Sequence, residues 1–245
     1  MLAVVFVGAY CIEVADSFYA AKKARFARIV PTDLKDKSVS QAPGTKLSYF
    51  GYEFEVPWSD LDETQTKLYP AGNPGKCKVD LHFRSGLRLV VTAVPPREWA
   101  RTFVTEFKTS PQKVDAAIES DYSFVRNIYY VTPDRMHYWS LSPDVHTREM
   151  FWLSFKSVVL SNSAASGIFQ LQNQNYKGFQ QGNPQVRQDG IIVSLYSDEG
   201  GIDMIFSQKD YKNSAGVTQP EINRIVQSLR KAPQNEAATP RIAQK

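Results

Sequence analysis

Residues 191–208, IIVSLYSDEGGIDMIFSQ, decide how this chain folds. Val193 and Leu195 alternate with Ser194 and Tyr196, and after Asp198-Glu199-Gly200-Gly201 the residues Ile202, Met204 and Phe206 alternate with Asp203 and Ser207. A period of two on both sides of a glycine pair predicts a β-hairpin with one apolar face, the glycines supplying the positive φ of the reversal. Ile192 and Ile205 interrupt the polarity of the other face, which is therefore expected to be partly covered. Just downstream, Thr218 and Glu221 have the spacing of a capping box. Ile222, Ile225, Val226 and Leu229 then share one stripe, Arg230 and Lys231 fall where the end of the helix dipole favours cations, and Pro233 stops the run. The spacing predicts a helix over 219–230 whose stripe packs on the apolar face of the hairpin.

Working outward, Tyr52, Phe54 and Val56 alternate with Glu53 and Glu55 as a first strand ended by Pro57. Cys77, Val79, Leu81 and Phe83 alternate with Lys78, Asp80, His82 and Arg84, and Ser85-Gly86 turns the chain into 87–94, a second hairpin. Pro95-Pro96 opens a helix with Trp99, Phe103 and Phe107 at fourfold spacing, a stripe that reads as core. A short helix follows Ser110-Pro111, another covers 121–131, and Ser142-Pro143-Asp144 launches a strongly apolar helix to about Leu160. Residues 168–172 and 176–181 read as two more strands. The expected fold class is α+β: a largely antiparallel sheet of about six or seven strands covered by helices.

The hydrophobic fraction of 42% is enough for a real core. Formal net charge is +4, of which the first 28 residues carry +2 and the last 13 carry +1, leaving about +1 for the rest. That is too little for the electrostatic footprint of a nucleic-acid binder. Cys11 and Cys77 form no expected disulfide framework. Met1 to Ile12 is uncharged and apolar, shorter than the ~20 residues of a span, with Lys22, Lys23, Arg25 and Arg28 beyond it. Residues 1–30 are read as a truncated membrane anchor, the competing reading being a helix docked on the domain. A lipoprotein signal would want a small residue where Tyr10 precedes Cys11. Residues 31–45 read as a spacer, 46–232 as the globular domain and 233–245 as a disordered tail.

Asp80, His82 and Arg84 share one side of a strand, as an acid–base pair or part of a metal site would need. A metal would want further ligands, and none is adjacent, so the plainer reading is a solvated sheet face. Asp60-Leu61-Asp62-Glu63 lacks the ligand spacing and glycine of a calcium loop and reads as solvated. His146 and Glu149 lie one helical turn apart and read as a surface contact, and His137 reads as a packed histidine. G-x-S-x-G, C-x-x-C and dinucleotide fingerprints are absent, and Gly75-Lys76 has Pro70 and Cys77 where a P-loop needs Gly and Ser or Thr. No metal and no cofactor is expected. Gln170, Gln172, Asn173, Gln174, Asn175, Gln180, Gln181, Gln185 and Gln188 make one region rich in amides. With Tyr176 and Phe179 it has the ingredients of glycan or extended-peptide recognition, against the plainer reading of a polar hairpin face.

With Tyr52-Glu53-Phe54-Glu55-Val56-Pro57-Trp58 near the start, Ile222-Asn223-Arg224-Ile225-Val226-Gln227-Ser228 near the end, and this order of elements, residues 46–231 resemble the PsbP-like α/β/α sandwich group. The resemblance implies an antiparallel sheet covered by helices and a non-catalytic binding or assembly role. The chain departs from the group in its extra helices between Pro96 and Leu160, so no functional residue is carried over. It also resembles uncharacterised bacterial proteins with one N-terminal membrane segment. The leading expectation is a membrane-tethered, non-catalytic binding or assembly domain with a protein or glycan partner and no nucleic acid. The rivals are a hydrolase-type enzyme at Asp80, His82 and Arg84, and a glycan- or peptide-binding module using Tyr176 and Phe179.

Overall fold

The two-residue period becomes two sheets in the computed structural model, which describes residues 27–69, 77–99, 101–102, 119–135, 152–153, 155–156, 159–186, 190–208, 216–232 and 241–242. The larger sheet has eight strands: β1 (Thr32–Asp33), β4 (Lys67–Tyr69), β5 (Lys78–His82), β6 (Leu87–Val94), β7 (Ile168–Gln172), β8 (Lys177–Gln181), β9 (Ile191–Ser197) and β10 (Gly200–Gln208). Their order across the sheet is β1-β7-β8-β9-β10-β6-β5-β4, and every pairing is antiparallel except that of β1 with β7. The smaller sheet is β2 (Thr45–Tyr49), β3 (Tyr52–Val56), β11 (Arg230–Lys231) and β12 (Arg241–Ile242), in the order β11-β3-β2-β12. Helices α1 (Asp121–Tyr130) and α2 (Gln219–Ser228) complete the α+β architecture together with helical residues at 98–99 and within 152–159.

The hairpin of 191–208 forms as its alternation requires, but its loop is Asp198 and Glu199, and Gly200 already pairs with Ser197. Gly200 takes φ +116°, and a Cβ there would lie 2.7 Å from the carbonyl oxygen of Val94. Val193, Leu195, Ile222 and Ile225 are all fully buried in one core, enclosed by the large sheet on one side and α2 with the small sheet on the other. The second face of the hairpin is partly covered, as Ile192 and Ile205 suggested. Tyr196 is buried there with Phe124, Val125, Ile128 and Tyr129 of α1 and with Trp152 and Leu153, while Ile205 stays exposed. A layer of helix, the large sheet, and a layer of helix plus small sheet therefore enclose two apolar cores.

The α2 start signal is met: the Thr218 backbone N–H donates to Glu221 Oε2 at 2.7 Å, and Trp58 Nε1 donates to the other carboxylate oxygen at 2.9 Å. The helix stops two residues earlier than its spacing predicts. Leu229 turns extended at ψ 127°, and Arg230 and Lys231 pair with Glu53 and Tyr52 as β11. Their charges serve the small sheet instead of the helix dipole: Arg230 Nε donates to Glu53 at 2.8 Å, and Lys231 lies 4.8 Å from the centre of the Tyr52 ring. Asn173 takes over the helix end, its amide donating to the carbonyls of Val226 and Leu229 at 2.7 and 3.1 Å. Helix α1 has its own capping box through Ser120 and Ser123 and ends at Tyr130, ahead of Pro133.

Residues 31–45, read as a spacer, lie against the domain along much of their length. Thr32 and Asp33 pair with Phe169 and Gln170, Asn223 donates to the carbonyls of Asp36 and Ser38 at 2.9 and 2.7 Å, and Arg224 donates to those of Ser40 and Ala42. Arg241 and Ile242, read as tail, pair with Ser48 and Leu47. Among the described residues no helix is long and apolar enough to cross a membrane, and the apolar segment itself, 1–26, lies outside them. The expected stripe positions Phe103 and Phe107, the short helix at Ser110, and His137, His146 and Glu149 also lie outside. Trp99 is described, and it stacks on Phe124 with ring centres 5.8 Å apart.

Candidate functional site

The β5–β6 turn separates the acid–base candidates. β5 ends at His82, and Phe83 N–H donates to Leu87 O across the reversal, so Arg84 stands exposed in the turn instead of in line with Asp80 and His82. The cation beside Asp80 is Arg88 of β6, whose Nε and Nη2 donate to the two carboxylate oxygens at 2.7 and 2.6 Å. His82 Nε2 sits 3.3 Å from Asp80 Oδ1. Hydrogen bonding by Arg88 holds the Asp80 carboxyl below the ordinary carboxylate range despite its burial. A carboxylate clamped in two directions and ionised well into acid is poorly suited to take up a proton at neutral pH. Arg88 was legible once the turn was placed at 84–86, because counting the register back from it sets Arg88 opposite His82.

Of the loop acids, Asp60 ties its loop to the β5–β6 turn and Asp62 serves its own loop. Asp60 accepts from the backbone of Ser85 at 2.6 Å, and Asp62 accepts from the backbone N–H of Thr64 at 3.0 Å. Among the described residues no group of three or more His, Cys, Asp or Glu could hold a metal ion. Cys77 is a free thiol.

Tyr176 and Phe179 do not share a surface. Tyr176 is buried in the inner core, 6.3 Å from the ring of Tyr52, and Phe179 is buried in the outer core, parallel to Tyr122 at 5.5 Å and edge-on to Tyr129 at 4.9 Å. Neither ring is open to stack on a glycan. Several of the surrounding amides are internal fastenings. Gln180 and Gln219 exchange side-chain hydrogen bonds at 2.8 and 2.9 Å, Gln219 donates onward to Asn223 at 3.0 Å, and Gln181 donates to the Tyr129 hydroxyl at 2.8 Å. Each is satisfied by partners from another element, so burying them costs little.

What these fastenings leave open is a cleft of about 290 Å³ at the β7 edge of the large sheet. Asp33, Leu34 and Lys37 close one side, and Gln170, Leu171 and Gln172 of β7 form the floor. Tyr122 stands over it from α1, and Asn223, Val226 and Gln227 from α2. Gln172 and Gln227 are exposed and Tyr122 half-buried, so amides and one ring face the opening. Gln170 is turned aside by donating to the Tyr130 hydroxyl, and Asn223 is occupied by the 36–38 carbonyls. Asp33 and Lys37 carry opposite charges, leaving the lining without net sign. Gln170 and Gln172 were legible as part of an amide-rich stretch. Asp33, Tyr122 and Gln227 were not, because only the tertiary fold brings positions 33, 122 and 227 together.

No family model, curated protein or solved structure matches the chain.

Proposed function

We propose that the chain is a non-catalytic binding domain that takes a neutral, hydrogen-bonding ligand in the cleft between β7, α2 and Tyr122, and that residues 1–30 hold it at a membrane. The observation that carries the binding reading is the lining itself. Gln172 and Gln227 supply both donors and acceptors beside the half-buried ring of Tyr122, around a volume near the lower end of ligand clefts, roughly 300–1,000 Å³. The clamped geometry of Asp80 favours the same reading, since it takes that carboxylate away from the hydrolase rival as a free base. The resemblance to the PsbP-like group implies the same class of role.

The membrane part is supported by the uncharged run from Met1 to Ile12 followed by Lys22, Lys23, Arg25 and Arg28. Where the segment joins the globule, Ala27 is buried and its carbonyl accepts from Lys156 Nζ at 3.3 Å. The joint is thereby fixed to the outer core instead of hanging from slack chain.

The test uses the full chain with two probes, chitotetraose and a pool of neutral peptides, and in parallel a panel of chromogenic ester, phosphoester and glycoside substrates. Binding of either probe, weakened about threefold or more by both Tyr122→Ala and Gln227→Ala, with no turnover, is the expected result. Turnover abolished by His82→Ala, or binding indifferent to both cleft substitutions, overturns the reading. Cell fractionation that leaves the full chain wholly soluble removes the tether.

A further inference from the structure

We propose that the ligand is an extended peptide, added as a short strand beside β7 in the lane that β1 vacates after Asp33. The inference rests on the cleft being the binding site. β1 pairs with β7 only at Phe169 and Gln170, yet β7 runs on through Leu171 and Gln172. Among the described residues no strand lies beside those two on that side, and both line the cleft. The lane is open because α2 draws the chain away from it. Asn223, fixed by its bond from Gln219, donates to the carbonyls of Asp36 and Ser38 and carries that segment off the sheet edge onto the helix.

A sheet edge offers a row of main-chain donors and acceptors, and an incoming extended chain satisfies them whatever its sequence. The flanking groups suit the same guest. Alternate side chains of an added strand point to opposite faces of the sheet. On one face they would meet Tyr122, whose ring is backed by Phe179, and on the other Val226 and Gln227. The opposed charges of Asp33 and Lys37 favour a guest with no net charge and offer nothing to a polyanion. At about 3.3 Å per residue the lane takes two or three residues, so the site suits a short stretch of a longer peptide.

A random dodecapeptide library displayed on phage is selected on the full chain, and one selected peptide is synthesised with a single N-methyl group at each position in turn. Fluorescence anisotropy is expected to show an alternating profile. Methylation weakens binding by up to about tenfold at every second position of a short stretch, where the amide faces β7, and by less than about twofold between them. Tyr122→Ala and Gln227→Ala each weaken the unmethylated peptide, Gln227→Ala while keeping the thermal midpoint of the wild type. Gln227→Ala, at an exposed position, keeps the test valid should the tyrosine variant fail to fold. A flat methylation profile with cleft-dependent binding overturns strand addition and leaves the cleft reading standing. Cleft-dependent binding of chitotetraose with no peptide selected does the same. Failure of both probes to bind overturns both proposals.

Discussion

The ammonium of Lys156 is fully buried, and it donates to the carbonyls of Ala27 and Val131 at 3.3 and 2.8 Å. Burial lowers its pKa to about 8, against about 10.4 in an unfolded chain. Below pH 8 both states hold the proton and the cost of burying the charge is present in full. Between pH 8 and about 10.4 the unfolded state binds more protons, so stability rises with pH across that window. Lys156→Met removes this term. Urea midpoints taken from pH 7 to pH 10 are expected to show the wild type gaining on the variant by on the order of 1–3 kcal/mol; a gap constant across that range sinks the assignment. Nothing at position 156 in the sequence marks it out, because a lysine inside an apolar helical run reads as a snorkelling surface residue until its surroundings are seen. Arg84 and Arg88 differ in the same way, since the neighbour of Asp80 depends on where the turn falls.

At the scale of elements, β8 and β9 approach more closely at Gly178 than any side chain allows. A Cβ there would lie 1.9 Å from the carbonyl oxygen of Ser194. The contact is with backbone, so neither strand can yield without breaking the pairing of Gly178 with Leu195 and its neighbours. Gly178→Ala is expected to cost several kcal/mol, more than the ~1–3 of ordinary overpacking, read as a collapse of the thermal transition or insoluble expression. Unfolding within about 1 kcal/mol of the wild type would refute the close approach. The longer elements were legible for a plain reason: 191–208, 78–94 and 219–228 each run long enough for a period to repeat. β1, β4, β11 and β12 have two or three residues each, too few to display any period, and pairing partners elsewhere define them. The cleft was illegible for a related reason, being assembled from four separate segments whose residues lie as far apart as 33 and 227.

The fold is closed by contacts between residues 36–58 and residues 221–231. Asn223 holds the Asp36 carbonyl across 187 positions of sequence, Arg224 reaches Glu55 at 2.8 Å, Trp58 bonds Glu221, and β3 pairs with β11. The inner core contains Leu47, Tyr52, Phe54 and Val56 from the front of the domain with Ile222, Ile225 and Leu229 from its rear. Contacts of such long range are formed late and at a high entropic cost of closing the chain. On the ribosome, then, strands β2 and β3 must wait for α2. Nascent chains arrested with residue 217 clear of the exit tunnel are expected to be cut by protease as fast as denatured protein, and those with residue 232 clear to resist it. Protection already present at 217 would show that an early subdomain stands alone. Until α2 emerges, the greasy strands 45–56 have no lid of their own, and a cell making this protein must shield them while residues 57–218 are being made.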